Sequence, residues 1–307
     1  MTLHKLWTKM CEKDWRTVVK SLYVLHCISR DCSADACQRF TMAMKSLSRV
    51  RNPKNPDHKY FDIRPIADVD ANGEPYEKFI AAYATHVIYR TKNFAARFEE
   101  LKDITGETHE GQVVARLKKA QQCITHGLKC TLADKQLYNV VIGHCLKMVA
   151  ADLRDLIKLC TAKLGPLLGD GAAYGGTKAD EKDVLALLVF FQEAAEQVKV
   201  YLSKVQKVCQ PMRIKIPTEV EASVSGEKLA ARIAELTKIS GGSVAVEMDG
   251  TGMAKSAEEV SQSMASKGGE DEDEEGEGEG DASEAAEEAD EEEEGEGEEG
   301  EEDEGED

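Results

Sequence analysis

The chain has 307 residues and a formal net charge of −19, yet 26 of its 58 acidic residues lie in the segment 270–307, which has no basic residue. Residues 1–269 therefore carry a net charge of +7, which favours an anionic partner such as a phosphate-bearing lipid or nucleic acid. The longest purely apolar run, Val184–Phe191, is too short to cross a bilayer, and residues 1–14 lack the apolar core of a signal peptide.

The first predicted helices follow the 3.6-residue period of apolar side chains that is typical of amphipathic helices. Asp14 can cap a helix whose apolar residues share one face. This helix also carries Lys20, His26 and Arg30 along its length. A second helix is predicted over Ser33–Val50.

Five further helices are predicted along the chain. Pro75 suits the first turn of the third helix, and the fifth helix has the clearest apolar stripe. No window alternates strongly enough to predict a strand, so the fold is predicted to be all-α, with antiparallel neighbours where loops are short. The predicted ranges are Pro75–Phe98, Val114–Cys130, Tyr138–Leu164, Val184–Val205 and Glu227–Ile239.

The nine cysteines include no Cys-x-x-Cys pair and mostly fall among apolar residues of predicted helices. This usage is typical of reduced, buried thiols in an intracellular protein. Cys123, His126 and Cys130 could share a helix face and, with Cys145, supply four zinc ligands. Packing within a helix face is the favoured interpretation, because no second Cys or His pair has ligand spacing. No metal or cofactor is predicted.

Motifs of known catalytic classes are missing from the sequence. There is no Gly-x-Ser-x-Gly, no His-Glu-x-x-His and no kinase-like set. The glycine-rich stretch GDGAAYGG follows no predicted strand and precedes no Gly-Lys-Ser/Thr, so it is predicted to be a connector. The protein is predicted not to be an enzyme, and no catalytic residue is assigned.

The strongest charge feature of the body is KSLSRVRNPKNPDHK, which holds five basic residues and one acid, Asp57. Cations near the C-terminal end of a helix complement its dipole, which is one interpretation. The other is an exposed patch that faces phosphoinositide headgroups or another anion. The candidate lipid-binding residues are Arg49, Arg51, Lys54 and Lys59.

Three stretches resemble the ANTH domain of CALM-type clathrin assembly proteins: DWRTVVKSLYVLH, YFDIRPIADVDANGEPYEKFIAAYATHVIYR and IPTEVEASVSGEKLAARIAEL. The matching positions of the first two stretches are Trp15, Val18, Lys20, Leu22, Phe61, Tyr76, Phe79, Tyr83 and Arg90. The resemblance covers residues 1–239 and implies an ENTH/VHS-like, right-handed superhelical stack of antiparallel helices.

The resemblance also implies a function. The implied function is that of a peripheral membrane adaptor. Such an adaptor binds phosphatidylinositol 4,5-bisphosphate or a related anionic lipid, clathrin and SNARE cargo. The expected location is cytoplasmic, at the plasma membrane, at clathrin-coated pits and vesicles, and at the Golgi. Nucleic acid is not expected as a partner.

The family's lysine-rich headgroup motif precedes the part of the domain that Met1 begins, so the first helices of the domain are expected to be missing. Either the sequence starts late, or the protein is a degenerate member of the family that uses a different patch and a different tail. No lipid-binding residue is therefore assigned by position in the family motif. The resemblance implies that Trp15 begins the third helix of the domain and that the charged positions of this helix lie on its outer side. Loss of the first helices is expected to expose the face of Trp7 and Trp15.

The predicted organisation is an ANTH-like helical domain over residues 1–239, a flexible linker over residues 240–269 and a disordered Glu/Asp/Gly-rich tail over residues 270–307. The tail suggests an alternative function, in which the protein is a scaffold or chaperone-like factor that holds basic partners such as histones. In that case the helical body would serve only as a platform.

Overall fold

Helices make up most of this computed structural model, which describes residues 2–53, 55–132, 138–169, 174–176 and 178–239. Polar side chains mark the beginning of several helices because they accept hydrogen bonds from free backbone N–H groups of the first turn. Asp14 accepts from the N–H groups of Arg16 and Thr17, at 3.3 and 3.1 Å. Asn139 and Asp180 cap two later helices in the same way, each at 2.9 Å.

Ten α-helices occur in these described ranges. They are α1 (Thr2–Met10), α2 (Trp15–Asp31), α3 (Ala34–Leu47), α4 (Ile63–Ala67), α5 (Glu77–Asn93), α6 (Glu99–Lys102), α7 (Glu110–Leu128), α8 (Val140–Leu164), α9 (Glu181–Cys209) and α10 (Gly226–Ile239). Short 3-10 turns cover Glu74–Tyr76, Gly165–Leu168 and Gln210–Met212. The fold is all-α, as predicted, and no helix in the described part is long and apolar enough to span a bilayer.

A small antiparallel hairpin follows α3, where no strand was predicted. Its strands are β1 (Arg51–Asn52) and β2 (Asn55–Lys59), with Arg51 opposite Lys59 and Asn52 opposite Asn55. The hairpin contains no apolar side chain that alternates with polar ones, so period-2 patterning could not have predicted it.

The core lies along α8, which packs against α7, α9 and α2. The predicted stripe on this helix is confirmed, because its members are fully buried. They include Ile142, Leu146, Val149, Leu153, Leu156, Ile157 and Leu164. A continuous stripe on a 25-residue helix gives its neighbours one long apolar surface to cover.

The expected exposure of the tryptophan face is wrong. Trp7 of α1 is 4% exposed and packs against Phe61, with ring centroids 5.4 Å apart. Trp15 of α2 is 3% exposed and stacks on Tyr76 at 4.0 Å. The segment after the hairpin therefore covers both indole rings.

All described residues belong to one compact unit, Met1–Val246. The second unit, Glu247–Asp307, lies outside the described residues, as do the predicted linker and acidic tail.

Candidate functional site

The predicted basic residues lie on and beside the hairpin. Arg49, Arg51 and Lys59 are exposed, and none of their side chains forms a hydrogen bond or ion pair with a described residue. Lys54, the fourth predicted residue, lies outside the described residues. Tyr60, the residue after β2, packs against α1, with its ring centroid 4.9 Å from that of His4.

The pairing of the two strands places two like charges opposite each other. Arg51 is the cross-strand partner of Lys59, and both side chains are exposed. Directly opposite residues in an antiparallel pair have β-carbons about 5 Å apart, and like charges at such positions are destabilising. An anion bound between the two cations would relieve this repulsion.

A polar hollow of about 310 Å³ lies beside the hairpin. Its basic members are Lys59, Arg64 of α4 and Lys92 of α5, and its acidic members are Asp57 and Asp62. Lys92 is partly buried, and burial lowers the pKa of its ammonium group. Its ammonium group forms no hydrogen bond or ion pair within the described part of the chain.

Asp62 is fully engaged within the protein. Its carboxylate accepts a hydrogen bond from Arg64 Nη2 at 2.8 Å, lies 3.0 Å from His58 Nδ1 and caps α4. Although partial burial opposes ionisation, these partners lower the pKa of Asp62 to about 2. Asp62 therefore remains ionised and is compensated by its own neighbours.

A second basic surface, which was not predicted from the sequence, lies at the end of α9. The segment 197–218 contains five basic residues and no acidic one, and all five are exposed. Among the described residues, Lys199 is the only one of the five that pairs with an acid, Glu196, at 3.5 Å. The absence of acids between residues 197 and 218 was visible in the sequence. The five cations are Lys199, Lys204, Lys207, Arg213 and Lys215.

A buried polar cluster, also missed, lies where α2, α5 and α8 meet. Asp152 of α8 is completely buried, and its carboxylate is surrounded by four nitrogen donors. Oδ2 lies 2.8 Å from His26 Nε2, 2.8 Å from Arg90 Nε and 3.3 Å from His86 Nε2. Oδ1 accepts a hydrogen bond from Arg30.

The two guanidinium groups of the cluster have further partners. Arg30 also donates to Asp155, at 2.8 Å, so two arginines face two aspartates. Arg90, which is fully buried, donates to the backbone carbonyl and the hydroxyl of Ser29 at 3.1 and 3.0 Å, and to the carbonyl of Ala96. The cluster is thus electrically balanced.

The protonation of the cluster follows from this geometry. Burial lowers the pKa of His26 to about 4, although Asp152 opposes the shift. In the neutral ring, Nε2–H donates to Asp152 and Nδ1 accepts the hydroxyl proton of Tyr83, at 3.1 Å. Burial alone would raise the pKa of Asp152, but Arg90 and then His26 hold it well below its usual range.

The prediction that the charged residues of α2 lie on its outer side is wrong for two of them. His26 is fully buried and Arg30 is 7% exposed, whereas Lys20 is exposed. Spacing of four residues places Leu22, His26 and Arg30 on one face of the helix. That face points inward because Asp152 compensates the charge of Arg30.

The donor atoms of His26, His86 and Asp152 lie within 4.8 Å of one another, as in a metal site. These residues do not suit a divalent cation, because the neutral ring of His26 directs its Nε2 proton at Asp152. Arg30 and Arg90 also already compensate the buried carboxylate. The cluster is better explained as a structural link between three helices.

The predicted thiol set does not converge on a metal site among the described residues. Cys130 Sγ is 3.5 Å from the backbone carbonyl of His126, which fits a protonated thiol that donates a hydrogen bond. Burial raises the pKa of both Cys123 and Cys130. The ring of His126 packs edge-on against Tyr89 at 5.0 Å.

The residues that carry the resemblance mostly have core positions. Trp15, Val18, Leu22, Phe61, Phe79 and Tyr83 are buried, and Tyr76 stacks on Trp15. Arg90 holds the polar cluster, and Lys20 is exposed. The resemblance therefore reports mainly how the helices pack.

Within the described residues, the helical stack carries an exposed basic surface whose side chains have no acidic partner there. Residues 2–226 match the ANTH domain family, and the chain belongs to this family. Its members are endocytic adaptors that associate peripherally with membranes and bind phosphoinositides, rather than enzymes. Comparison with curated proteins and with solved structures found no match.

Proposed function

We propose that the protein is a clathrin-coat adaptor that binds an anionic membrane through its hairpin surface, defined as Arg49, Arg51 and Lys59. The lipid is phosphatidylinositol 4,5-bisphosphate or a related phosphoinositide. Lys54 completes the surface in this proposal. Residues 1–239 form the binding domain, residues 240–269 the linker and residues 270–307 the acidic tail.

The observation that carries the proposal is the exposed pairing of Arg51 with Lys59, without an acidic partner for either among the described residues. Each basic residue near an anionic membrane surface contributes about 1 kcal/mol to binding. The pairing costs stability in the free protein and would favour binding once an anion lies between the two side chains.

The coat-related part of the proposal rests on the family. Clathrin is the proposed coat partner and small helical SNARE proteins are the proposed cargo. The plasma membrane, coated pits and vesicles, and the Golgi are the proposed locations.

Reversal of the hairpin charges should abolish recruitment to the membrane. In the triple variant Arg49→Glu/Arg51→Glu/Lys59→Glu, the loss of three attractive charges alone predicts an affinity at least about a hundredfold lower, since each contributes about 1 kcal/mol. Co-sedimentation with phosphatidylcholine vesicles that contain a phosphatidylinositol phosphate measures this change.

The surface of α9 supplies a matched control. Lys204→Glu/Lys207→Glu/Arg213→Glu changes the net charge of the protein by the same amount and should reduce binding much less. Equal losses in the two variants would mean that net charge, rather than the hairpin surface, drives recruitment. A larger loss in the α9 variant would assign the membrane contact to α9.

The acidic composition of residues 270–307 favours a second candidate function, a scaffold for basic proteins. Here, removal of residues 270–307 should abolish the binding of histones at low salt, because 26 of the acidic residues are lost. Pull-down of purified histones by the full chain and the truncated chain tests this. Unchanged histone binding would reject the scaffold function, whereas histone binding without vesicle binding would reject the adaptor function.

A further inference from the structure

We propose that the polar hollow between the hairpin, α4 and α5 binds a phosphomonoester group, with Lys92 as its principal ligand. This inference rests on the proposed membrane function and adds a specific subsite to it. The hairpin surface would provide general attraction to anionic lipid, and the hollow would distinguish a phosphorylated headgroup from other anionic headgroups.

Lys92 is the feature of the hollow that the fold does not explain. Its side chain is partly buried near the end of α5, where loss of hydration disfavours a charged ammonium group. The negative charge of Asp62 raises the pKa of Lys92, but the two side chains form no ion pair. A cation that has lost part of its hydration and has no hydrogen-bond partner is suited to an external anion.

The neighbouring charges are arranged so that Lys92 stays free. Asp62 accepts from Arg64 Nη2 at 2.8 Å and lies 3.0 Å from His58 Nδ1, and it also accepts from the backbone N–H of Arg64 at 3.1 Å. The other carboxylate at the hollow, Asp57, is exposed at its rim and is bound to no described residue. Three cations and two carboxylates line the hollow, which leaves a net positive charge.

The wall of the hollow includes backbone in an uncommon conformation. Phe61 has φ of 61°, in the left-handed region that a bulky residue rarely adopts. Its side chain is 3% exposed and packs against Trp7, which fixes the residue in place. The chain between the hairpin and α4 thus holds Lys59 and Asp62 on either side of a rigid bend, and such strain is often retained at binding sites.

A doubly charged phosphate ester matches these features better than a singly charged headgroup. It offers three acceptor oxygens and can accept hydrogen bonds from Lys92 and Lys59 together. Phosphatidylserine carries a carboxylate and a phosphodiester next to an ammonium group that the cations of the hollow would repel. A preference for phosphomonoester lipid at equal membrane charge is therefore the signature of this site.

The test compares Lys92→Met with the wild-type chain on two vesicle types of matched total charge. One contains phosphatidylserine and the other a phosphatidylinositol bisphosphate. We expect Lys92→Met to bind the phosphomonoester vesicles about tenfold to a hundredfold less tightly, as for the loss of a hydrogen bond to a charged group. Binding to phosphatidylserine vesicles should change little, because the hairpin surface is intact. Lys92→Arg should keep most of the preference.

Equal losses of Lys92→Met on both vesicle types, or no loss on either, would overturn the subsite. Failure of the wild-type chain to bind any anionic vesicle would instead overturn the proposed membrane function. Soluble inositol trisphosphate separates the possible sources of the group. Binding of the soluble compound by the wild type, lost in Lys92→Met, without vesicle binding would keep the hollow but assign it a free phosphate ester.

Amine labelling of the unmodified protein gives a readout that needs no variant. Phosphomonoester vesicles or inositol trisphosphate should slow acetylation of Lys92 relative to that of Lys204, as measured by mass spectrometry of the digested protein. Equal labelling rates with and without the ligand would contradict the proposal even if the substitution impaired folding.

Discussion

Asp152→Asn should destabilise the protein by about 3–5 kcal/mol, which is the usual cost of removing one partner from a buried ion pair. The substitution keeps the volume of the side chain but removes its charge. Arg90 would then be a fully buried cation without an anionic partner, since its remaining contacts are with Ser29 and the carbonyl of Ala96. Urea unfolding followed by circular dichroism measures the loss.

Asp155→Asn is the matched control for this prediction. Asp155 also binds Arg30, but its side chain is 35% exposed, so water can replace the lost interaction. We expect a loss below about 1 kcal/mol for this variant. Similar losses in the two variants would show that burial of Asp152 does not set the cost.

A double-mutant cycle isolates the pairing itself. Removal of the cation in Arg90→Met should cost less in the Asp152→Asn background than in the wild type, because the substitution then removes a buried charge that has lost its partner. Strictly additive losses would contradict a coupled pair and would assign the role of Arg90 to its contact with Ala96.

Hydrophobic periodicity was sufficient to predict most of the long helices. The stripe along α8 predicted both the helix and its burial because apolar side chains at this spacing can be covered only by packing. Helix ends were less accurate: α7 begins at Glu110 rather than near Val114 because polar residues can occupy a first turn that faces solvent.

The charged core was not predictable from the same rule, which treats a charged side chain as a mark of the outer face. His26 and Arg30 of α2, and His86 and Arg90 of α5, instead have the same four-residue spacing and converge on one carboxylate. The repeated spacing is visible in the sequence. The partner, Asp152, is 126 residues from His26, so only the tertiary fold brings the groups together.

The basic segment was recognised from composition, but its geometry was not. Charge counts predicted exposed cations after α3, and exposure is what Arg49, Arg51 and Lys59 show. The cross-strand pairing of Arg51 with Lys59 depends on a short hairpin that lacks a sequence signal, and the hollow depends on Lys92, which lies 33 positions beyond Lys59. Candidate residues could thus be found in sequence, whereas their pairing and the adjoining hollow required the fold.

Acid should destabilise the protein well before its carboxylates titrate. Burial lowers the pKa of His26 to about 4, and partial burial lowers that of His126 to about 4, against an ordinary value of about 6.5. As the pH falls from 6.5 to 4, the unfolded chain takes up protons at both rings while the folded protein does not. Stability is therefore fully present above pH 6.5, and the buried ring of His26 removes up to about 1.4 kcal/mol per pH unit below it. The partly exposed ring of His126 removes less, because solvent screens its charge.

His26→Gln tests the larger part of this effect. A glutamine amide can still donate towards Asp152 but cannot titrate, so the variant should be less stable at neutral pH and should lose stability less steeply between pH 6.5 and 4.

His126→Gln should remove a separate part of the slope, because the ring of His126 lies outside the Asp152 cluster and packs against Tyr89. Below pH 4 both variants should still unfold with acid, since the unfolded chain then takes up a proton at Asp152 that Arg90 denies the folded protein. Parallel stability curves for the wild type and His26→Gln from pH 7 to 4 would contradict a neutral, buried His26 and would mean that the folded cluster accepts the proton.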